Sequence, residues 1–395
     1  GWYFDERQAY ELESTLRDEL ETITGSLRAR HPLIAGSEFT PKRNNKTSGY
    51  HEGCTFTRLK EFNPTSRDHI AWVMQQPYGW EPTQFTDKGK PVIDEVVLKD
   101  IGTPIALDFF RCLELTKSLG MLSEGVNAWL KLVKNDRIHH HCSVATNTHR
   151  CAHRNPNLAQ VPSDGRFREL FIPSPGLTMV GADLSGIELR MLAHYLARYD
   201  GGRYAKLLLE DDIHQINADK IGISRRQVKT VTYAFLYGAG DEKIGHSYDQ
   251  QLSTTAAKKK GKEIRAAYVD AVDGLDDLLN AIKKAAERGF IKSIDGRKIN
   301  VDSPHKALNY CLQSGAGVIA KRWMVINQET MREAQICASQ LGFIHDELQF
   351  ECAPEHIGDL STSLVYSATA AGEYYNMRIR IDAEATHGNN WSETH

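Results

Sequence analysis

The chain contains 395 residues, of which 41% are hydrophobic and 25% are charged, and its net charge is −3. These values are ordinary for a folded protein, allow two or three domains and argue against extended disorder. No run approaches the roughly 20 apolar residues of a membrane span, and the seven scattered cysteines, without a C-x-x-C pattern, favour a reducing compartment over a disulfide framework.

The first 135 residues are predicted to be mainly helical, and they open without the pattern of a secretory signal. Apolar residues at helical spacing predict an amphipathic helix over 9–23. Residues 28–65 are rich in Gly, Pro, Asn and Lys, so they are predicted to form a loop insertion with an exposed basic cluster at 42–46. Helical patterns return at 67–76 and 104–133.

The rest of the chain alternates strand and helix patterns. A capping box of Ser224 and Gln227 marks one helix start, Gly238 suits the end of that helix, and Asp295-Gly296 is typical of a hairpin turn. The predicted elements are a strand at 138–144, a strand at 177–183, helices at 184–199 and 225–237, a basic helix or loop at 258–262, a hairpin around 295–296, a helix at 305–331 and a strand at 343–351.

Three carboxylates lie in strand patterns: Asp183 at the end of one, and Asp346 with Glu347 inside another. Two strand-borne carboxylates that meet in space can hold two Mg²⁺ ions roughly 3.5–4 Å apart, an arrangement suited to phosphoryl transfer. Asp183 and Asp346 are 163 positions apart, so the sequence also allows two unrelated, water-exposed carboxylates.

A second group is spaced four residues apart on one predicted helix: Arg225, Lys229, Tyr233 and Tyr237. This spacing puts the four side chains on one broad helix face, with both cations near the positive end of the helix dipole. Such a face can hold a triphosphate at one end and stack a base at the other. The alternative is a solvated basic turn followed by core aromatics.

Other polar residues have competing interpretations. Glu188 either completes a capping box with Ser185 or lies near Asp183 and crowds a sugar. The spacing of the histidines and cysteines at 139–153 matches no standard zinc pattern. Long polar side chains near apolar runs can contact minor-groove acceptors or remain ordinary surface residues: Arg150, Arg154, Asn157, Gln160, Asn309 and Gln313.

Together these segments resemble the polymerase module of family A (DNA polymerase I-like) DNA polymerases, closest to the replicative enzymes of short-tailed, T-seven-type phages. The matching segments run in the family's order over about residues 1–395. They are Asp183-Leu-Ser-Gly-Ile-Glu188-Leu-Arg190, Arg225-x₃-Lys229-x₃-Tyr233-x₃-Tyr237-Gly238, His345-Asp346-Glu347, Arg150 with 155–162, Asp295-Gly-Arg-Lys298, Asn309-x₃-Gln313 and the closing Asn389-Asn-Trp-x₃-His395.

The resemblance implies an α+β, right-hand polymerase fold with an antiparallel palm sheet and helical fingers and thumb. It divides the chain into a thumb at 1–135, with a palm lead-in at its start and the insertion near 28–65, a first palm part at 136–196, fingers at 197–292 and a second palm part at 293–395. The exonuclease domain of the family lies upstream of this module, and we expect none within this chain.

The resemblance also implies a role for each matching residue. Asp183, Asp346 and the Leu184 carbonyl bind two Mg²⁺ ions, for which Mn²⁺ can substitute, and Glu347 supports them. Lys229 is also a catalytic acid toward the leaving pyrophosphate. The residues implied to bind the dNTP are Arg225, Lys229, Tyr233, Tyr237, Gly238, Glu188 and Leu184, with Glu188 as the steric gate. The residues implied to contact primer–template are Arg150, Asn309, Gln313, His345 and Arg190.

The implied activity is template-directed addition of deoxynucleotides to a primer 3′-OH in viral DNA replication, in the cytoplasm of an infected bacterium. Implied partners are primer–template DNA, dNTPs and a replisome helicase or primase, with no membrane. The insertion near 28–65 is much shorter than the family's thioredoxin-binding one, so thioredoxin is not carried over. The rivals are a single-subunit RNA polymerase, against which Glu188 argues, and a catalytically silent accessory protein, against which the intact Asp183 and Asp346 argue.

Two positions depart from the family pattern. Thr148-His149-Arg150 stands where Thr-Gly-Arg is usual, so the resemblance does not fix the conformation of this turn. Tyr233 offers a hydroxyl where many relatives have Phe. That hydroxyl can replace a hydrogen bond lost when a nucleotide lacks its 3′-OH, so we predict weak discrimination against dideoxynucleotides.

Overall fold

A computed structural model describes residues 1–249 and 252–395. They form two compact units, which we call the helical unit, Glu6–Lys131, and the sheet unit, Gly1–Asp5 with Leu132–His395. Each has a buried apolar cluster of its own. None of the helices in these ranges combines the length and the hydropathy needed to cross a membrane.

The helical unit is built on one long helix and a shorter one that packs against it. Its core contains Leu27, Val73 and Phe109, all fully buried. Its elements are α1 (Glu6–Arg30), β2 (Leu33–Phe39), β3 (Phe56–Glu61), α2 (Arg67–Gln75), α3 (Glu95–Ile101), α4 (Pro104–Leu119), a π-helical turn (Gly120–Glu124) and α5 (Trp129–Leu132), while β1 (Trp2–Phe4) belongs to the sheet unit.

Two predictions in the helical unit need correction. The insertion near 28–65 is not all loop, because β2 and β3 pair as an antiparallel hairpin around its basic cluster. The helix predicted over 104–133 ends at Leu119 and passes into the π-helical turn. A Cβ at Gly125 would lie 2.4 Å from the Gly120 carbonyl oxygen, so this sharp exit requires glycine.

The sheet unit is organised around a four-stranded antiparallel sheet of order β11-β12-β8-β13. Every residue of β12 is buried, and β8 contributes the buried Met179 and Val180. The strands of the unit are β4 (Arg137–Ile138), β5 (His141–Ser143), β6 (Ala152–Arg154), β7 (Phe171–Ile172), β8 (Thr178–Leu184), β9 (Phe290–Lys292), β10 (Lys298–Asn300), β11 (Ala338–Ile344), β12 (Glu347–Cys352) and β13 (Ala383–Gly388).

Helices cover this sheet and extend the unit. Two of them, α14 and α15, pack on each other, and α15 also packs on the sheet. The helices are α6 (Gly165–Arg168), α7 (Ile187–Leu196), α8 (Arg203–Glu210), α9 (Ile213–Ile221), α10 (Arg225–Leu236), α11 (Asp241–Tyr248), α12 (Thr254–Ala271), α13 (Leu275–Ala286), α14 (Ala307–Glu333) and α15 (Ile357–Tyr374).

Several predicted elements are confirmed. The capping box of Ser224 and Gln227 starts α10, and Gly238 follows this helix at φ 74°. The hairpin around Asp295-Gly296 joins β9 and β10, and the basic stretch at 258–262 is part of α12.

Two predicted strands are interrupted. The strand predicted over 138–144 is split into β4 and β5, because β4 pairs with β1 whereas β5 pairs with β6. The strand predicted over 343–351 is a hairpin whose two-residue turn is His345-Asp346. His345 adopts φ 59° there, so the alternating pattern concealed a reversal of the chain.

Candidate active site

Two distant carboxylates meet at one end of the central sheet. Asp183 lies at the end of β8 directly opposite Glu347 at the start of β12. The backbone N–H of Leu184 donates to the carbonyl of Asp346 at 3.0 Å. Strand pairing therefore places Asp183 beside Asp346, and the sequence alternative of two unrelated carboxylates is excluded.

The carboxylates perturb one another. Burial, with the charge of Asp183 as the next cause, raises the pKa of Asp346 to about 7. Although solvent reaches Asp183, desolvation by the surrounding protein and the charge of Glu347 raise its pKa to about 6. Within the described residues neither carboxylate has an ion pair, so the site holds unneutralised negative charge.

Glu347 is held differently from the other two. It is buried, and its Oε1 accepts hydrogen bonds from Trp391 Nε1 at 2.6 Å and Gln349 Nε2 at 2.7 Å. Its Oε2 lies 2.9 Å from His395 Nδ1, and this contact raises the pKa of the histidine. These partners fix the orientation of the Glu347 carboxylate.

The donor set suits magnesium. A cavity of about 180 Å³ adjoins the carboxylates and is lined by Arg168, Asp183, His345, Asp346, Glu347 and Trp391 among others. In residues 1–249 and 252–395, no three His, Cys, Asp or Glu side chains converge as a metal cluster. Mg²⁺ is usually bound by one or two protein carboxylates, with phosphates and water as further ligands, so Asp183 and Asp346 fit it without a third side chain.

The predicted nucleotide-binding face lies on α10. Arg225 is exposed, and its Nε donates to Asp212 Oδ2 at 2.6 Å. Lys229 is exposed one turn further on. Burial and the charges of Glu188 and Asp346 raise the pKa of Tyr233, which links this face to the carboxylates. The helix therefore has two exposed cations in its first turns and Tyr233 further along, on the sequence toward Tyr237.

Glu188 joins three elements at this site. Its Oε1 accepts a hydrogen bond from Arg150 Nη2 at 2.7 Å and one from the Tyr237 hydroxyl at 3.0 Å. The capping-box alternative is wrong, because α7 begins at Ile187 after Gly186 and has no side-chain cap. Burial and the charge of Glu188 raise the pKa of Tyr237 to about 12, so its hydroxyl stays a donor.

The residues predicted to contact primer–template differ in burial and in their hydrogen-bond partners. Asn309 is buried, and its Nδ2 donates to the Leu236 carbonyl at 3.0 Å. Arg190 donates to the Ser185 carbonyl at 2.6 Å and to the Arg380 carbonyl. Within the described residues, the buried Nδ1 of His345 has no hydrogen-bond partner, and Gln313 is partly buried. Their roles toward DNA stay predictions.

The turn before Arg150 has an unusual conformation. His149 adopts φ 60°, a left-handed conformation that favours glycine. Lys321 Nζ donates to the His149 carbonyl and holds the turn in place. His149 therefore adopts a glycine-like conformation at the position that the sequence analysis aligned with the glycine of Thr-Gly-Arg.

The sequence analysis did not identify two residues that lie near the α10 face. Asp212 caps α9 by accepting from the N–H groups of His214 and Gln215, and it also pairs with Arg225. His214 is buried, its Nδ1 has no hydrogen-bond partner in the part of the chain that the structure describes, and its ring centroid lies 6.2 Å from that of Tyr233. The sequence pattern of an N-cap at Asp212 could have predicted that α9 begins there.

Comparisons with known proteins place this geometry in context. A sequence model described as DNA polymerase family A matches residues 39–393. The DNA-directed DNA polymerase of Enterobacteria phage T3 is 34% identical over 93% of this chain, and that of Escherichia phage T7 is 33% identical over 93%. DNA polymerase I of Pseudomonas aeruginosa is 25% identical over 85% of this chain and 39% of its own length.

The chain spans 59% of the length of each of the two phage relatives. Its fold is similar to a solved structure described as the POL domain of Pol1 from M. smegmatis in complex with DNA primer-template and dNTP. The TM-score is 0.79 at 21% identity, and the match covers 100% of this chain and 68% of that one. This likeness confirms the predicted α+β, right-hand fold.

Proposed function

Because the chain belongs to DNA polymerase family A, we propose that it extends the 3′-OH of a primer along a DNA template, using dNTPs and releasing pyrophosphate. The meeting of Asp183, near the end of β8, with Asp346, in the turn that leads into β12, carries this proposal. Tyr233, whose pKa is raised by burial and by the charges of Glu188 and Asp346, lies on the same helix as Arg225 and Lys229, which supports a triphosphate site on α10 beside the carboxylates.

Asp183, Asp346 and the Leu184 carbonyl would hold Mg²⁺, which when bound activates the attacking oxygen and stabilises the leaving pyrophosphate. Glu347 supports the neighbouring carboxylates from its fixed position. Without a cation, burial raises the pKa values of both Asp183 and Asp346; the charge of Glu347 adds to the shift of Asp183, and the charge of Asp183 adds to that of Asp346. A bound cation would offset this cost.

The α10 face would bind the nucleotide. Arg225 and Lys229 hold the triphosphate, and Lys229 gives a proton to the leaving pyrophosphate. Tyr233 and Tyr237, with Gly238, form the base and sugar pocket. Glu188 restricts the 2′ position, because Arg150 and Tyr237 fix its carboxylate.

Arg150, Asn309, Gln313, His345 and Arg190 are proposed to contact the primer–template. Minor-groove acceptors are nearly the same for all base pairs, so such contacts test pair shape without reading sequence. We assign 1–135 to the thumb, 136–196 and 293–395 to the palm and 197–292 to the fingers. The proposed setting is viral replication in the cytoplasm of an infected bacterium, with a helicase or primase as partner.

The test is extension of a labelled primer–template by the wild type, with Mg²⁺ or Mn²⁺ and either deoxynucleotides or ribonucleotides. Asp346→Asn removes one ligand charge, and Asp359→Asn, an exposed carboxylate at the start of α15, is the matched control. We expect templated extension with deoxynucleotides alone, lost in Asp346→Asn and retained in Asp359→Asn.

Two results would contradict the proposal. Efficient extension with ribonucleotides would favour an RNA polymerase. Salt-sensitive binding of primer–template without any extension would favour an accessory protein.

A further inference from the structure

A group of buried hydroxyls lies behind the nucleotide-binding face of α10. The group consists of Thr232 on α10, Tyr204 on α8 and Tyr268 on α12, and we call it the hydroxyl cluster. None of the three residues is more than 5% exposed. In the part of the chain that the structure describes, none of the three hydroxyls has a hydrogen-bond partner. Buried polar groups without partners are rare in folded proteins, so three in one place require an explanation.

The three hydroxyls are neighbours, although no hydrogen bond joins them in the described structure. Burial raises the pKa of the Tyr268 phenol, and the hydroxyls of Thr232 and Tyr204 oppose that rise. Burial and the neighbouring Tyr268 raise the pKa of Tyr204. Tyr268 therefore lies between the other two hydroxyls, and a small change in position would bring the groups to hydrogen-bond distance.

Thr232 does not use the partner that its own helix offers. A threonine inside a helix can donate to the backbone carbonyl four residues earlier. Thr230, also on α10, donates in this way to the Arg226 carbonyl at 3.1 Å. Thr232 forms no such bond in the described structure, so its hydroxyl is available to Tyr268 on α12.

The hydroxyl cluster is coupled to the proposed nucleotide pocket through α10. The Tyr268 ring centroid lies 5.1 Å from that of Phe235, so α12 packs directly on this helix. Thr232 precedes Tyr233, which belongs to the proposed base and sugar pocket, and Tyr233 also contributes to the raised pKa of Tyr204. Because Thr232 and Tyr233 are consecutive residues of one helix, a shift of α10 that rearranges the hydroxyls also moves Tyr233.

Tyr204 has room to follow such a shift. It lines a small cavity together with Ile213, Asn217 and Val272. Asn217 is buried, and its Nδ2 has no hydrogen-bond partner within residues 1–249 and 252–395. The cavity is therefore partly polar, and the Tyr204 side chain can adjust there when α10 moves.

We propose that Thr232, Tyr268 and Tyr204 are positioning residues for Tyr233. When a nucleotide binds the α10 face, the three hydroxyls join in a hydrogen-bonded chain that holds the helix in its nucleotide-bound position. The proposal rests on the proposed function, because the bound nucleotide supplies the free energy that moves the helix. The hydroxyls are unpaired in the free protein and paired in the complex, so the cluster favours the bound position.

The experiment measures the Kd of the templated dNTP by isothermal titration calorimetry. The full chain is first bound to a primer–template whose primer ends in a dideoxynucleotide, so binding is measured without chemistry. Thr232→Val and Tyr268→Phe each remove one hydroxyl at nearly constant volume, and a third variant combines them. Tyr195→Phe is the matched control, because its buried hydroxyl also has no hydrogen-bond partner among the described residues and lies beside Cys311 on α14.

One hydrogen bond contributes a factor of about 2 to 10 to an equilibrium constant. We therefore expect the Kd of the dNTP to rise about 2- to 10-fold in Thr232→Val and about 5- to 100-fold in Tyr268→Phe, which loses two bonds. The double variant should match Tyr268→Phe, because Thr232 acts only through Tyr268. Tyr195→Phe should keep the wild-type Kd. Without nucleotide, the urea midpoint of no hydroxyl variant should fall below that of wild type, since the removed groups are unpaired there.

A wild-type Kd in Tyr268→Phe would overturn the proposal. A lower urea midpoint in that variant without nucleotide would overturn it too, because the hydroxyl would then be bonded, directly or through water, in the free protein. If Tyr268→Phe does not fold, Thr232→Val alone decides, and a wild-type Kd in it has the same meaning.

Failure of the proposed function is distinguishable from failure of this inference. Extension of an unblocked primer by the wild type is measured separately. A wild type that binds the dNTP but never extends the primer contradicts the proposed function, and the Kd ratios of the variants still test the hydroxyl cluster. A wild type that binds no dNTP contradicts both.

Discussion

Removing one hydroxyl tests how Glu188 is held. In Tyr237→Phe the ring remains, but the donor 3.0 Å from Glu188 Oε1 is lost. Arg150 still donates to the same oxygen. We therefore expect Glu188 to stay in the site with greater freedom, and its exclusion of a 2′-hydroxyl to weaken without disappearing.

The structure sets the size of this effect. A hydrogen bond to a charged group contributes about 1.5–3 kcal/mol to stability. Tyr237 is 48% exposed, so water partly replaces its hydroxyl, and we take about 1–1.5 kcal/mol. Since about 1.4 kcal/mol corresponds to a factor of ten in rate, preference for deoxynucleotides over ribonucleotides should fall roughly 5- to 10-fold.

Single-turnover incorporation of dATP and ATP opposite template T gives kcat/KM for each nucleotide. Glu188→Ala is measured beside Tyr237→Phe and should lose most of the discrimination. Tyr233→Phe is the matched control, because its hydroxyl donates no hydrogen bond to Glu188 in the described structure. It should keep the wild-type preference for deoxynucleotides.

Two results would refute the reasoning. Wild-type discrimination in Tyr237→Phe, with loss in Glu188→Ala, would mean that Arg150 alone positions the carboxylate. Unchanged discrimination in Glu188→Ala would mean that Glu188 does not exclude the 2′-hydroxyl.

Three further predictions concern the carboxylates, the left-handed turn and the nucleotide pocket. Because folding raises the pKa of Asp346 to about 7 from its usual 3.8, its contribution to stability is lost as pH rises through this range. Urea unfolding without Mg²⁺ should show Asp346→Asn to be more stable than wild type by about 1–3 kcal/mol at pH 8 and equally stable near pH 4. A difference in unfolding free energy that does not change with pH would contradict this. His149→Gly should be about 1 kcal/mol more stable than His149→Ala, since both lose the imidazole and only alanine keeps a Cβ at φ 60°; equal urea midpoints would argue against strain there. Tyr233→Phe should discriminate against dideoxynucleotides more strongly than wild type, and equal selectivity in a competition assay would exclude a role for the hydroxyl.

The sequence predicted the elements whose signals are local. The capping box at Ser224, the turn at Asp295-Gly296 and the strand ending at Asp183 each depend on residues close in the chain, and all are present. Side-chain spacing also predicted the shared face of Arg225 and Tyr233 on α10.

Features that depend on distant partners were missed. The reversal at His345-Asp346 is invisible to an alternating pattern, because pairing of β12 with β8 decides where the strand stops. The ion pair of Arg225 with Asp212 joins two helices and has no signature in either. Glu188 was ambiguous for a similar reason, since Arg150 reaches it from 38 positions away.

The order of the central sheet has a consequence for biosynthesis. Strand β8 lies between β12 and β13, and both of these follow it in the chain. The pairing of Asp183 with Glu347 must wait for 164 further residues, which take roughly 10–30 s to translate at bacterial rates. During that time the apolar residues of β8, including Met179 and Val180, lack their final neighbours. The nascent chain therefore presents an unpaired hydrophobic strand to the ribosome surface and to chaperones, and expression at lower temperature or with added chaperones should raise the yield of folded protein.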